Sequence, residues 1–147
     1  MYYWRYLFNI LLMRDIIKIL KFQIGEFIIC GSLALYLHGL LDDYNQEEID
    51  IIVDLPDDKL LSIQDDVIIT PVNAFGMKQA GYRINGVYID IFNRDLPDYD
   101  TVIVDGLVVK IKTYQALKNH YISLDMSTIG GHDKFKEKIM TRINLFK

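Results

Sequence analysis

Carboxylates alternate with isoleucines in the run Glu48-Ile49-Asp50-Ile51, which leads into Ile52-Val53. In a strand, side chains two apart share a face. Glu48 and Asp50 therefore point one way, and Ile49 and Ile51 point the other way, into a core. Two like charges on one face of a buried strand repel each other, and a divalent cation relieves them. The segment before this strand narrows the fold further. Phe27–Cys30 is an apolar run without polar alternation, as expected of a central strand. Gly31-Ser32 ends it, residues 33–37 read as a short helix stopping near Gly39, and residues 42–48 form a polar loop. The unit from Phe27 to Val53 is thus strand, helix, acidic strand.

A third carboxylate, Asp90, lies in the apolar run Val87–Phe92, flanked by isoleucines. A buried acid needs a partner. If its strand lies beside the acidic one, that partner is a metal shared with Glu48 and Asp50; otherwise it is Arg83 or Arg94. Magnesium takes oxygen ligands, commonly a few carboxylates together with substrate phosphates. Gly31 lets the backbone approach a phosphate closely, Ser32 offers a hydroxyl, and the following helix turns its first N–H groups toward an anion. Such a site runs phosphoryl-type chemistry, with an attacking hydroxyl near Asp90 and the β- and γ-phosphates held by metal.

The rest of the chain reads as follows. Trp4 to about Phe22 is a helix with Leu7, Leu11, Ile16, Ile17 and Leu20 at helical spacings, stopped by Gly25. Its first dozen residues are apolar nearly all round, so the rest of the fold or a partner subunit covers them. Residues 57–66 hold one helical turn, and 67–70 a strand stopped by Pro71. Asn85-Gly86 and Asp105-Gly106 each sit between apolar runs, the signature of type I′ hairpins. Thr113 caps a helix running to about Leu124. After Gly130-Gly131, a last helix starts at His132 or Asp133 and runs to Phe146. The expected architecture is one α/β domain over residues 1–147, a mixed sheet of about five strands flanked by helices with a helical C-terminus.

Charge is unevenly spread. Residues 42–105 carry fifteen acidic and four basic side chains, whereas residues 106–147 carry three acidic and eight basic. An acidic centre beside a basic tail suits a magnesium site facing phosphate-binding lysines, and equally a solvated acidic loop beside an amphipathic helix. The net charge of −4 disfavours extensive duplex DNA binding and leaves an RNA end as a target of the tail. No apolar run is long enough to span a bilayer. The lone Cys30 excludes an internal disulfide or a cysteine-based zinc site and fits a cytoplasmic location. Cys30 reads as packed core and His38 as a helix-end residue, while His120 and His132 have no metal-ligand spacing.

Gly31-Ser32, the Glu48-Ile49-Asp50-Ile51 strand and the later Asp90 strand resemble the nucleotidyltransferase fold of the DNA polymerase beta superfamily. The run Gly-Ser-Leu-Ala-Leu-Tyr-Leu-His-Gly from Gly31 to Gly39 is most similar to its small prokaryotic and phage branch, related to abortive-infection nucleotidyltransferases. The resemblance implies an enzyme that moves a nucleoside monophosphate from a nucleoside triphosphate to a hydroxyl with Mg2+ or Mn2+, in a setting such as toxin–antitoxin pairing or phage defence. It implies Glu48, Asp50 and Asp90 as metal ligands and catalytic acids, and Gly31, Ser32 and Lys118 as triphosphate contacts. His132-Asp133-Lys134 matches the family's Lys-Asp pair only loosely. The chain departs at Glu48, where the family has Asp, and at Tyr44-Asn45-Gln46-Glu47, where the family has Arg-x-Thr. The alternative implied by these departures is a catalytically degraded member that binds a nucleotide or a partner, in the manner of an antitoxin.

Overall fold

The computed structural model describes residues 2–70, 79–124, 126, 127, 131 and 133–147, with the backbone alone for residues 2–12 and Thr70. The unassigned stretch 72–78, the Gly130 half of the expected break and the alternative helix start at His132 lie outside the described residues. The elements are α1 (Tyr2–Gln23), β1 (Ile28–Cys30), α2 (Gly31–Leu37), β2 (Glu48–Val53), α3 (Asp57–Leu61), β3 (Ile68–Thr70), β4 (Gln79–Ile84), β5 (Val87–Asn93), β6 (Tyr99–Val104), β7 (Leu107–Lys112), α4 (Tyr114–Ile122) and α5 (Asp133–Asn144).

Among the described residues the sheet has seven strands, in the order β3-β4-β5-β2-β1-β7-β6, and not about five. The difference arises from where the two hairpins go. Asn85 and Gly86 (φ 49° and 81°) join β4 to β5, and Asp105 and Gly106 (φ 48° and 81°) join β6 to β7. These are the left-handed pairs that a type I′ turn requires. The hairpins do not pair with each other. The first docks β5 parallel to β2, and the second docks β7 parallel to β1, so they extend one sheet in opposite directions. The short β3 adds to the outer edge of β4.

The alternation in the strands sets the two faces. Ile29, Ile49, Ile51, Val53, Tyr82, Ile89, Ile91 and Ile111 are buried in one cluster with Met13, Ile16, Ile17 and Leu20 of α1. Tyr82 Oη donates to Gln23 Oε1 at 2.7 Å, which ties the end of α1 to that face. The opposite face carries Cys30, Glu48, Asp50, Ile52, Asp90, Phe92 and Lys112, beneath α4 and α5. Thr113 caps α4 as expected, its Oγ1 accepting from the Ala116 N–H at 3.0 Å. His38 follows α2 and donates from Nε2 to the Lys112 carbonyl at 2.7 Å, locking α2 to β7.

The face assignment makes a prediction. Ile51 is wholly buried, whereas Ile103 on edge strand β6 is 74% exposed. Ile51→Ala should lower unfolding free energy in urea by about 2–5 kcal/mol, and Ile103→Ala by about 0.5 kcal/mol or less.

Candidate active site

Parallel pairing of β2 and β5 aligns Asp50 with Asp90 and Glu48 with Tyr88. Because the register is even, Glu48, Asp50 and Asp90 emerge on the same face. One carboxylate oxygen from each lies within 4.8 Å of the others. β1 completes the setting, since Cys30 pairs with Asp50 on the other side of β2. The chain then turns at Gly31, whose φ is +62°. A Cβ on Gly31 would sit 2.1 Å from Asp50 Oδ2 and 2.9 Å from its Cγ. Glycine is needed here twice, for the left-handed backbone and for the carboxylate that passes against it.

The loops that hold the acids are tied by specific bonds. Ser32 Oγ is buried and accepts from the Asn45 N–H at 3.1 Å, which fixes the polar loop ahead of Glu48. The Glu47 carbonyl accepts from the Tyr88 N–H at 2.8 Å, fastening the start of β2 to β5. At the other end, Asn93 Oδ1 accepts from the Leu55 N–H at 3.0 Å while its Nδ2 donates to the Leu55 carbonyl at 2.6 Å. That clamp carries Arg94 toward the site.

A cavity of about 280 Å³ opens over the three acids. Its floor includes Gly31, Glu48, Asp50 and Asp90. Its lining also holds cations, Lys112 from β7, Arg94 after β5, and Lys138 and Arg142 from α5, together with His120 and the apolar Leu117, Phe135 and Ile139. Of the residues singled out in the sequence, Gly31, Glu48, Asp50 and Asp90 are thus brought together. Ser32 and Lys118 are not among the lining residues; Ser32 bonds the loop, and Lys118 lies half-buried on α4. Of the basic set on α5, Lys138 and Arg142 reach the cavity and Lys134 and Lys136 do not. Lys112 was not legible as a site residue, and Arg94 was named only as an alternative partner for Asp90. The available signal for Lys112 was its place at the end of a strand just before a capped helix, where a lysine on the buried face needs a reason.

Electrostatics mark the acids as a stressed group. Burial raises the Asp50 carboxyl well above the usual carboxylate range, and the charges of Glu48 and Asp90 push it the same way. Asp90 is raised to about 7, first by burial and further by Glu48, against a lowering hydrogen bond from Gln79. Asp50 Oδ1 is buried with no hydrogen-bond partner among the described residues. Burial lowers the Lys112 ammonium, and burial with the charges of Lys112 and Arg94 takes His120 down to about 4, leaving it neutral at physiological pH. Cys30 is driven up by burial and by Asp50, so its thiol stays protonated.

No protein-family model matches the chain. No curated protein matches it either. Among solved structures the chain is similar to an antigenic nucleotidyltransferase-like protein from Paracoccidioides brasiliensis. The identity is 20% and the TM-score 0.47, over 82% of this chain and 66% of that one. Among the described residues, no helix is long and apolar enough to cross a membrane.

A divalent cation fits the acids on the site's own terms. Three carboxylate oxygens converge, one buried oxygen lacks a partner, and the groups are held close enough to resist ionising together. A carboxyl whose folded pKa is raised holds a proton that the unfolded chain has released. Metal-free stability from Asp90 is therefore present below about pH 4 and is lost as pH rises through about 7. Asp90→Asn removes that titration. The variant should gain on the order of 2 kcal/mol relative to wild type between pH 5 and pH 8 in chelator, measured by urea unfolding.

Proposed function

We propose that the chain is a metal-dependent nucleotidyltransferase, moving a nucleoside monophosphate from a nucleoside triphosphate to a hydroxyl. The observation that carries this reading is the convergence of Glu48, Asp50 and Asp90 on one face, in a cavity that Lys112, Arg94, Lys138 and Arg142 also line. The sequence resemblance at Gly31-Ser32, Glu48-Ile49-Asp50-Ile51 and Asp90 supports it independently.

In this reading Glu48, Asp50 and Asp90 hold Mg2+ or Mn2+. The bound cation supplies positive charge against the phosphates and favours the deprotonated form of the attacking hydroxyl. Asp90 faces that hydroxyl and accepts its proton. The hydroxyl oxygen forms a bond to the α-phosphorus, and the bond from the α-phosphorus to the bridging oxygen of the β-phosphate breaks. The departing pyrophosphate keeps that bridging oxygen. Lys112, Arg94, Lys138 and Arg142 hold its charge, in a cavity where desolvation strengthens each such contact. The Gly31 backbone turns beneath Asp50 and, lacking a Cβ, leaves room for that carboxylate. The acceptor is a small molecule, a protein side chain or an RNA end.

The second reading, a degraded nucleotidyltransferase that binds a nucleotide or a partner protein, is favoured by two departures, Tyr44-Asn45-Gln46-Glu47 in place of the family's Arg-x-Thr and Glu48 in place of its Asp. The extra methylene of Glu48 matters to an octahedral ion. Against it, the Glu48 oxygen reaches the other two acids. Incubation with each α-labelled nucleoside triphosphate and Mg2+ or Mn2+ separates the readings. The first predicts label transfer or pyrophosphate release, reduced about 100-fold or more in Asp50→Asn. Nucleotide binding without release, in wild type and in Glu48→Asp alike, supports the second.

A further inference from the structure

We infer that Gln79 is a positioning residue for Asp90, fixing which oxygen of that carboxylate faces the metal centre. The inference rests on the metal-centre reading above and adds a residue on a different strand.

The argument begins with register. β4 pairs antiparallel with β5, placing Gly81 opposite Asp90 and Gln79 opposite Phe92. Gln79 is therefore the diagonal neighbour of Asp90, a separation that long side chains span. Gln79, Gly81 and Asp90 share the sheet face that carries the acids, because the same parity puts Ala80 and Tyr82 in the α1 core. The amide makes use of this placement, Gln79 Nε2 donating to Asp90 Oδ1.

The consequence follows from the chemistry of the three acids. A carboxylate free to rotate offers either oxygen to a cation or both at once. A neutral amide donor occupies one oxygen and leaves the other directed at the cluster. The choice of amide is informative. A lysine here would pair with Asp90 and compete with a cation, and a glutamate would add a fourth repelling charge. Glutamine bonds the carboxylate while leaving its charge available. The contrast with Asp50 is sharp, since Asp50 Oδ1 is buried with no partner among the described residues. Asp90 is held from the side by β4, and Asp50 depends on what occupies the centre.

Gly81 shows that β4 is shaped around this face. A Cβ on Gly81 would sit 1.9 Å from Tyr88 Oη and 2.4 Å from its Cζ. The missing side chain lets the end of the Tyr88 ring lie over Gly81, the residue paired with Asp90. Arg83 is placed over the other part of that ring, its guanidinium carbon 5.5 Å from the centroid.

The test is Mn2+ binding to the full chain without nucleotide, followed by the electron paramagnetic resonance signal of free Mn2+. Wild type is compared with Gln79→Met, Gln79→Asn and Asp90→Asn, each checked for wild-type circular dichroism and a cooperative melt. The inference predicts weakening of about 10-fold or more in Gln79→Met, as loss of a group that orients a ligand typically causes. It predicts a smaller loss in Gln79→Asn, which keeps the amide one methylene short, and the largest loss in Asp90→Asn. Should Gln79→Met fail to fold, the loss in Gln79→Asn decides. In turnover with Mn2+ and the nucleotide that wild type uses, kcat falls while KM for that nucleotide holds. Wild-type binding retained within twofold in the folded glutamine variants overturns the role of Gln79 and leaves the metal centre standing. No Mn2+ binding by wild type at millimolar concentration overturns both.

Discussion

Repulsion among Glu48, Asp50 and Asp90 is the interaction on which the rest of this structure turns. Parallel pairing of β2 with β5 forces Asp50 and Asp90 side by side, and the pleat adds Glu48 on the same face. Burial first, and the neighbouring carboxylates after it, raise the Asp50 and Asp90 carboxyls, and one Asp50 oxygen is left without a partner among the described residues. Such an arrangement survives because the opposite face of the same strands is uniformly apolar. Ile49, Ile51, Ile89 and Ile91 are almost wholly buried with α1, so a one-residue slip would drive carboxylates into the core. The core thereby fixes a register that electrostatics alone would reject.

The surrounding elements can be understood as supports for that face. Gly31 clears the path of Asp50, Ser32 anchors the loop before Glu48, Asn93 clamps the chain that delivers Arg94, and His38 ties α2 to the strand end that bears Lys112. The acids and cations of the cavity come from distant parts of the chain. The acids arise from β2 and β5, and the cations from β7, α5 and the segment after β5. Acids and cations that lie far apart along the sequence line one cavity, the arrangement expected where phosphate meets metal.

Much of this was legible in the sequence because the signals were local. Period-two alternation placed Glu48 and Asp50 on one face, and the two Asx-Gly turns located both hairpins. Thr113 marked the start of α4. Gly31 was read as a close-approach glycine, and the close approach found is to Asp50. The expected strand number fell short because hairpin docking depends on pairing between remote segments, such as Ile29 with Ile111, that no local pattern encodes. Which cations line the cavity was only partly legible for the same reason. Lys118 sits on a helix whose existence was evident, but which lysine reaches the cavity depends on how α4 and β7 stack. Ser32 carries a serine's ordinary ambiguity between a ligand contact and a loop anchor, and its hydroxyl is engaged by Asn45.

The central claim is that these carboxylates form a cation centre and not merely a strained cluster. Anomalous diffraction from a crystal of the wild-type chain grown with Mn2+ tests it most directly. The account predicts a manganese peak with Glu48, Asp50 and Asp90 oxygens at roughly 2.1–2.2 Å, the distance expected of a hard divalent ion bound by oxygen. An ordered site with no anomalous peak among the three residues, at Mn2+ concentrations of several millimolar, would contradict it.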